Sequence, residues 1–181
     1  MQRFSAKKIA LAGIGAAIAL GAVIASFYVP NLSLTFNIVA AVGIMLPLTM
    51  KYYREAILAY VAVCALGAIF ANIHILSFVL IGGAYTIAAI AMHNNKDKLK
   101  PVFAYLIKIA YSCFVFLVVY QLTDILFVDL EALNITFSSD AVAYIVLNIC
   151  FTVLFILYDL LLRWGYDYAI PIVEKITRNM H

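Results

Sequence analysis

The side chains able to do chemistry in this chain lie in apolar surroundings. Lys108, Asp124 and Asp159 are the ionisable groups that fall inside long hydrophobic stretches. A charge at the centre of a membrane helix costs about 2.5–3.5 kcal/mol even on the lower insertion scales, so each of them needs a partner, a route to water or a role. Lys108 and Asp159 come at similar depths from the same end of their stretches, which predicts either an ion pair or separate snorkelling of each side chain to the interface. Arg163, four residues after Asp159, is another partner on the same helical face. Asp124 lies toward the opposite end, beside Tyr120 and Gln121. With Asn37, Asn72, His74, Tyr144 and Asn148, and with Tyr28 and Asn31 nearby, it supplies rings, amides and one acid, suitable walls for a small heterocyclic solute with a cationic group. The competing reading is that polar residues gather near any membrane interface.

Other chemistry has little support. Cys64, Cys113 and Cys150 sit in apolar runs without metal-ligand spacing, and His74, His93 and His181 are scattered, so no metal site is expected. The chain holds no GxSxG, HExxH or P-loop pattern. We therefore expect no catalytic residue, no cofactor and no ATP hydrolysis by this chain itself. No basic patch interleaved with exposed aromatics suggests nucleic acid. Asn134-Ile135-Thr136 matches a glycosylation sequon, a pattern common by chance.

The elements that must position these residues follow from composition. Of 181 residues, 67% are hydrophobic and 12% charged, far from the usual balance of a soluble domain. The mean hydropathy is +1.07. Ile9 to Met50 and Ala56 to Met92 contain no charged side chain, and each is about two bilayer crossings long at roughly 20 residues per crossing. Arg3, Lys7 and Lys8 precede a span of full length rather than a short signal-peptide core, so the first helix is expected to stay in the protein.

We expect an all-α integral membrane protein, a single bundle of six transmembrane helices at approximately 8–28, 34–50, 56–71, 74–92, 101–127 and 141–164. Pro47 is placed to kink the second helix and Pro101 to begin the fifth, and Asn72-Ile73-His74 is the polar break that divides the third from the fourth. Gly165 is expected to end the sixth, leaving a cytoplasmic tail over 165–181 that Pro171 interrupts. On this division the Lys and Arg of the loops all lie on one side: Arg3, Lys7 and Lys8, then Lys51 and Arg54, then Lys96, Lys98 and Lys100, then Arg163, Lys175 and Arg178. The positive-inside rule makes that side, and both termini, cytoplasmic.

The first helix carries Gly13, Ala17, Gly21 and Ala25 at four-residue spacing, with Ala12 and Ala16 beside them. Small residues so placed form a flat groove for close helix approach, used either inside the bundle or to dock a separate membrane protein. With this face, the segment Leu32-Ser33-Leu34-Thr35-Phe36-Asn37 and the closing stretch Leu157-Tyr158-Asp159-Leu160-Leu161-Leu162-Arg163, the chain resembles the S components, the substrate-binding subunits, of energy-coupling factor (ECF) vitamin transporters. The resemblance implies capture of a vitamin-like solute near the outer face of a cell membrane, in a bacterial plasma membrane. It also implies docking through Ala12, Gly13, Ala16, Ala17 and Gly21 on a membrane T subunit that works with two cytoplasmic ATPase subunits. The alternative is a non-transporting scaffold resembling the six-helix cell-shape protein MreD. A stand-alone secondary transporter would show repeated halves with broken helices, and the chain has no such repeat.

Overall fold

The computed structural model describes residues 6–29, 32–71, 75–95, 101–121 and 140–178, and every element among them is helical. In chain order these are α1 (Ala6–Tyr28), α2 (Ser33–Thr49), α3 (Tyr53–Ala71), α4 (Phe78–Asn94), α5 (Pro101–Gln121) and α6 (Asp140–Arg178). The first part of α4, Phe78–Tyr85, is wound as a π-helix. Four of the helices contain stretches long and apolar enough to cross a membrane: Ala6–Tyr28, Tyr53–Ala71, Val102–Val119 and Tyr144–Arg178. The apolar helices Ser33–Thr49 and Phe78–Asn94 are shorter. The break expected at Asn72-Ile73-His74 lies outside the described residues, between α3 and α4.

The chain forms two compact units, one holding the residues up to Asn94 together with those from Leu162 onward, the other holding Asn95–Leu161. In the first unit, α1 and α2 meet backbone to backbone. A Cβ added at Gly43 would stand 2.6 Å from the Gly15 carbonyl oxygen and 2.9 Å from the Ala19 nitrogen, and one added at Gly15 would run into the Gly43 carbonyl. Pro47 helps to make this contact. It has no N–H to take the carbonyl four residues earlier, so the Gly43 oxygen is left without its helical partner and lies against Gly15 instead. Ala19, Ala22 and Val23 of α1, Ala40 and Ile44 of α2, and Ala59, Val63 and Ala71 of α3 close around this seam, with Ile75 and Phe78 against them. Gly67 of α3 serves the same end, because a Cβ there would sit 2.6 Å from the Ile75 side chain.

The turn out of α2 is equally specific. Lys51 has a left-handed φ of 58°. Its N–H donates to the Leu48 carbonyl at 2.9 Å and that of Tyr52 to the Pro47 carbonyl at 3.0 Å. This is a Schellman end with lysine in the place usually taken by glycine.

The sixth helix does not end at Gly165 as expected. It runs unbroken for 39 residues through Gly165 and Pro171, about 58 Å at 1.5 Å per residue, and so does not stop at Trp164. Gly165 keeps a helical backbone. Leu162, Tyr166 and Val173 are buried at 4%, 1% and 4% exposure. Burying each is worth about 1.5–3 kcal/mol, against about 1 kcal/mol for an interior glycine and about 3 for an interior proline, so burial wins.

Three substitutions test these features. Gly43→Ala is expected to cost about 1–3 kcal/mol through overpacking. Gly13→Ala, with open space around its Cα, should leave the melting temperature in detergent close to that of the wild type. Lys51→Gly should raise it, since it relieves about 1 kcal/mol of left-handed strain.

Candidate functional site

The acid and base singled out by sequence meet in the second unit. Lys108 Nζ donates to both carboxylate oxygens of Asp159 at 2.7 Å. Both side chains are almost fully buried, at 6% and 5% exposure. Of the two sequence readings, pairing is the one observed, and separate snorkelling is not. One helical turn along α5, the fully buried Ser112 donates from Oγ to Thr152 Oγ1 of α6 at 3.2 Å. Thr152 in turn donates to Asn148 Oδ1 at 3.5 Å, and the Cys113 thiol reaches the same oxygen at 3.7 Å. The spacing of Asn148, Thr152 and Asp159 keeps them on one stripe of α6, facing Lys108 and Ser112 on α5. The result is a polar seam between two apolar helices.

Aromatic rings flank the seam. Phe116 meets Tyr144 edge-on at 5.2 Å, Phe151 follows at 5.6 Å from Phe116, and Phe155 stacks at 6.1 Å from Phe151. Tyr144 packs on Phe116 and Asn148 follows it one turn along α6, both partly buried. Gln121 is exposed at the end of α5. Tyr120 precedes it in the helix, but its side chain lies outside the described residues, as do Asp124, Asn72 and His74.

The first unit holds Asn37. Its Nδ2 donates to the Ser33 carbonyl at 2.9 Å and to Ser77 Oγ at 3.2 Å, and the Ser77 hydroxyl faces Asn37 Oδ1 at 3.4 Å. Next to Ser77 the π-helix begins. The Tyr60 hydroxyl donates to its Val79 carbonyl at 3.0 Å, the Tyr60 ring lies over Gly83, and Gly82 admits the Phe78 ring, which a Cβ would approach at 2.9 Å. π-helical turns often accompany functional positions because they re-aim the residues before them. Ser77 and Tyr60 were not signalled by the sequence as site residues. The Gly82-Gly83 pair inside an apolar run was the one available sign.

A second polar cluster in this unit was also not foreseen. Asn94 Nδ2 donates to the hydroxyls of Tyr53 at 2.9 Å and Tyr166 at 2.8 Å, and the Tyr166 hydroxyl reaches the Leu48 carbonyl at 3.2 Å. His93 Nε2 lies 3.2 Å from the largely exposed Asp167 and edge-on to the Tyr166 ring. These bonds fasten α6 to the ends of α2 and α4, and α4 to the start of α3.

The small-residue face of α1 divides in two. Ala12 and Ala16 are partly buried against the core, whereas Gly13, Ala17 and Gly21 are exposed, and a Cβ at Gly13 or Gly21 would meet nothing within 4 Å. The inner contact is made by Gly15, Ala19 and Ala22. No group of His, Cys, Asp and Glu among the described residues could hold a metal ion.

Tyr166→Phe removes the hydroxyl that joins Asn94 to Leu48 and should cost about 1–3 kcal/mol, read as a lower melting temperature. Tyr168→Phe, on a residue that is 65% exposed, should leave it unchanged. Comparison of the chain with protein-family models, with curated proteins and with solved structures finds no match.

Proposed function

We propose that the protein is a solute-capturing membrane subunit that binds a vitamin-like micronutrient and relies on partner subunits for energy, as the resemblance to S components of ECF transporters implies. In this reading six helices cross a bacterial plasma membrane with both termini in the cytoplasm. The observation that carries it is the pair of small-residue faces on α1. The inner face, Gly15 with Ala19, is fully used against Gly43 of α2, while Gly13, Ala17 and Gly21 stay open. Burying small residues already holds the helix in place, so a second such face at four-residue spacing fits a close-docking membrane partner, the T subunit, whose two ATPases supply the energy this chain lacks.

The solute side of the reading rests on residues with amide and aromatic character. In the first unit Asn37 bonds to Ser77, and in the second Tyr144 and Asn148 stand one turn apart on α6. Gln121 and, by sequence, Asn72, His74, Tyr120 and Asp124 complete the candidate set. Rings and amides recognise a heterocycle by stacking and directed hydrogen bonds, and Asp124 suits a basic nitrogen.

Mass spectrometry of small molecules released from the gently purified protein tests capture directly. The wild type should carry a vitamin-like molecule, reduced at least several-fold by Asp124→Asn. A protein that retains nothing, and whose melting temperature no added vitamin raises, would shift the balance to a scaffold of the MreD kind. Docking is tested separately: Gly13→Leu with Ala17→Leu should keep the retained solute and the melting temperature but abolish uptake in cells. Uptake at the wild-type rate would remove that face from the mechanism. Fusion reporters at the C terminus should report a cytoplasmic location.

A further inference from the structure

We propose that the start of α1 and the turn from α2 into α3 form a binding site for the phosphate of an anionic membrane lipid, held by Lys8, Lys51 and Arg54. The inference uses the membrane reading of these helices but not the solute reading, because it rests on one end of the first unit alone. The seam brings that end together. Gly15 of α1 lies on Gly43 of α2 and the helices run in opposite directions, so the start of α1 meets the turn that leaves α2. There Lys8 Nζ stands 4.8 Å from the centroid of the Tyr52 ring, a cation–π contact that seats the ammonium beside the residue following Lys51.

Lys51 is the unusual member. It is exposed and holds the left-handed position of the turn, φ 58°, which glycine adopts without strain. The carbonyls that a cation at this helix end could serve are already engaged: that of Leu48 accepts from the Lys51 N–H and the Tyr166 hydroxyl, and that of Pro47 from the Tyr52 N–H. The positive-inside bias asks only for a cation in the loop and is met from any backbone conformation. A lysine kept at a strained position therefore points to a use of its charge. Arg54 adds an exposed cation in the first turn of α3, whereas its neighbour Glu55 is buried to 9% exposure. Lys8, Lys51 and Arg54 form no ion pair with any other described residue, so no direct contact neutralises them.

The surroundings favour a lipid over a free phosphate. Exposed apolar surface begins at Ile9, immediately after Lys8, and at Ile57 and Leu58, one turn after Arg54. On both helices the cations thus stand at the rim of an apolar surface, the level at which the phosphates of a bilayer lie. A lipid bound there keeps its acyl chains on the apolar side. Its phosphate takes paired N–H groups from the guanidinium and point charges from the two ammonium groups.

Thermal unfolding of the full chain in a neutral detergent, titrated with phosphatidylglycerol, phosphatidylcholine or glycerol phosphate, tests the site. Phosphatidylglycerol should raise the melting temperature saturably, and the other two should not at the same concentrations. Lys51→Gly should melt above the wild type without lipid, because its strain is gone, yet need about fivefold more phosphatidylglycerol for half of the rise, the weight of one lysine near an anionic surface. Weaker binding by a more stable variant separates a lost contact from a damaged fold. Lys8→Gln with Arg54→Gln should lose the rise, while Lys175→Gln with Arg178→Gln, which removes the same charge from the end of α6, should keep the wild-type midpoint. Equal potency of phosphatidylcholine overturns the requirement for an anion, and equal potency of glycerol phosphate makes the ligand a free phosphate and overturns the lipid. A midpoint unmoved in Lys51→Gly, or moved as far by the α6 pair, overturns the site.

Discussion

The close approach of α1 and α2 at Gly15 and Gly43 is the constraint on which the first unit depends. Helices as apolar as these gain little from exchanging a lipid-like neighbour for one another, so contact must come from shape and from polar atoms that meet. Glycine on both sides brings backbone against backbone, and Pro47 supplies the carbonyl that lies there by withholding the N–H that would otherwise engage it. Much of what closes around that contact is small, Ala19, Ala22, Ala40 and Ala59, with Val23, Ile44 and Val63 filling the same cluster. The seam therefore sets the helix spacing, and the spacing decides which side chains fit.

Polar groups in such a bundle are satisfied in local sets. Lys108 finds Asp159, Asn37 finds Ser77, Tyr60 finds the Val79 carbonyl, and Asn94 finds Tyr53 and Tyr166. Each join links residues distant in sequence, and each would cost more to leave unmade than it gains when made, because a lone donor or acceptor in apolar surroundings has no water to fall back on. These joins thus specify which helix lies beside which, while the apolar bulk supplies cohesion without direction.

That division explains what could be read in the chain. Helix positions were legible because uncharged runs and polar breaks are long-range signals, whereas for Lys108 and Asp159 similar depth left pairing and separate snorkelling both open, and the facing of α5 and α6 decides for the pair. The face of α1 was only half legible. Four-residue spacing drew attention to Gly13, Ala17 and Gly21, yet the inner contact falls on Gly15 and Ala19, a choice made by Gly43 on another helix. Ser77 and Tyr60 were hidden for a similar reason. Their significance depends on the π-helical winding of Phe78–Tyr85, which no local pattern beyond the glycine pair announces. The solute-site residues Asn72, His74 and Asp124 lie outside the described residues, so their convergence rests on sequence alone.

The course of α6 shows how far local signals carry. Gly165 and Pro171 are sound stop signals by propensity, and on a helix with no neighbour they would prevail. The helix instead keeps one buried stripe on both sides of Gly165, through Phe155, Asp159, Leu162, Tyr166 and Val173. Its opposite side stays exposed and apolar through Val153, Leu157 and Leu161 as far as Trp164 and Tyr168, whose rings stack at 6.1 Å. Trp and Tyr favour the membrane–water interface, and beyond them come Glu174, Lys175 and Arg178, so the sequence of environments along the exposed side is apolar, aromatic, charged. The same helix is about 58 Å long against a hydrocarbon core of about 30 Å. The residues after Tyr168 are therefore best understood as a helical extension held by the burial of Val173 rather than as a loose tail, which places Lys175 and Arg178 on an ordered surface.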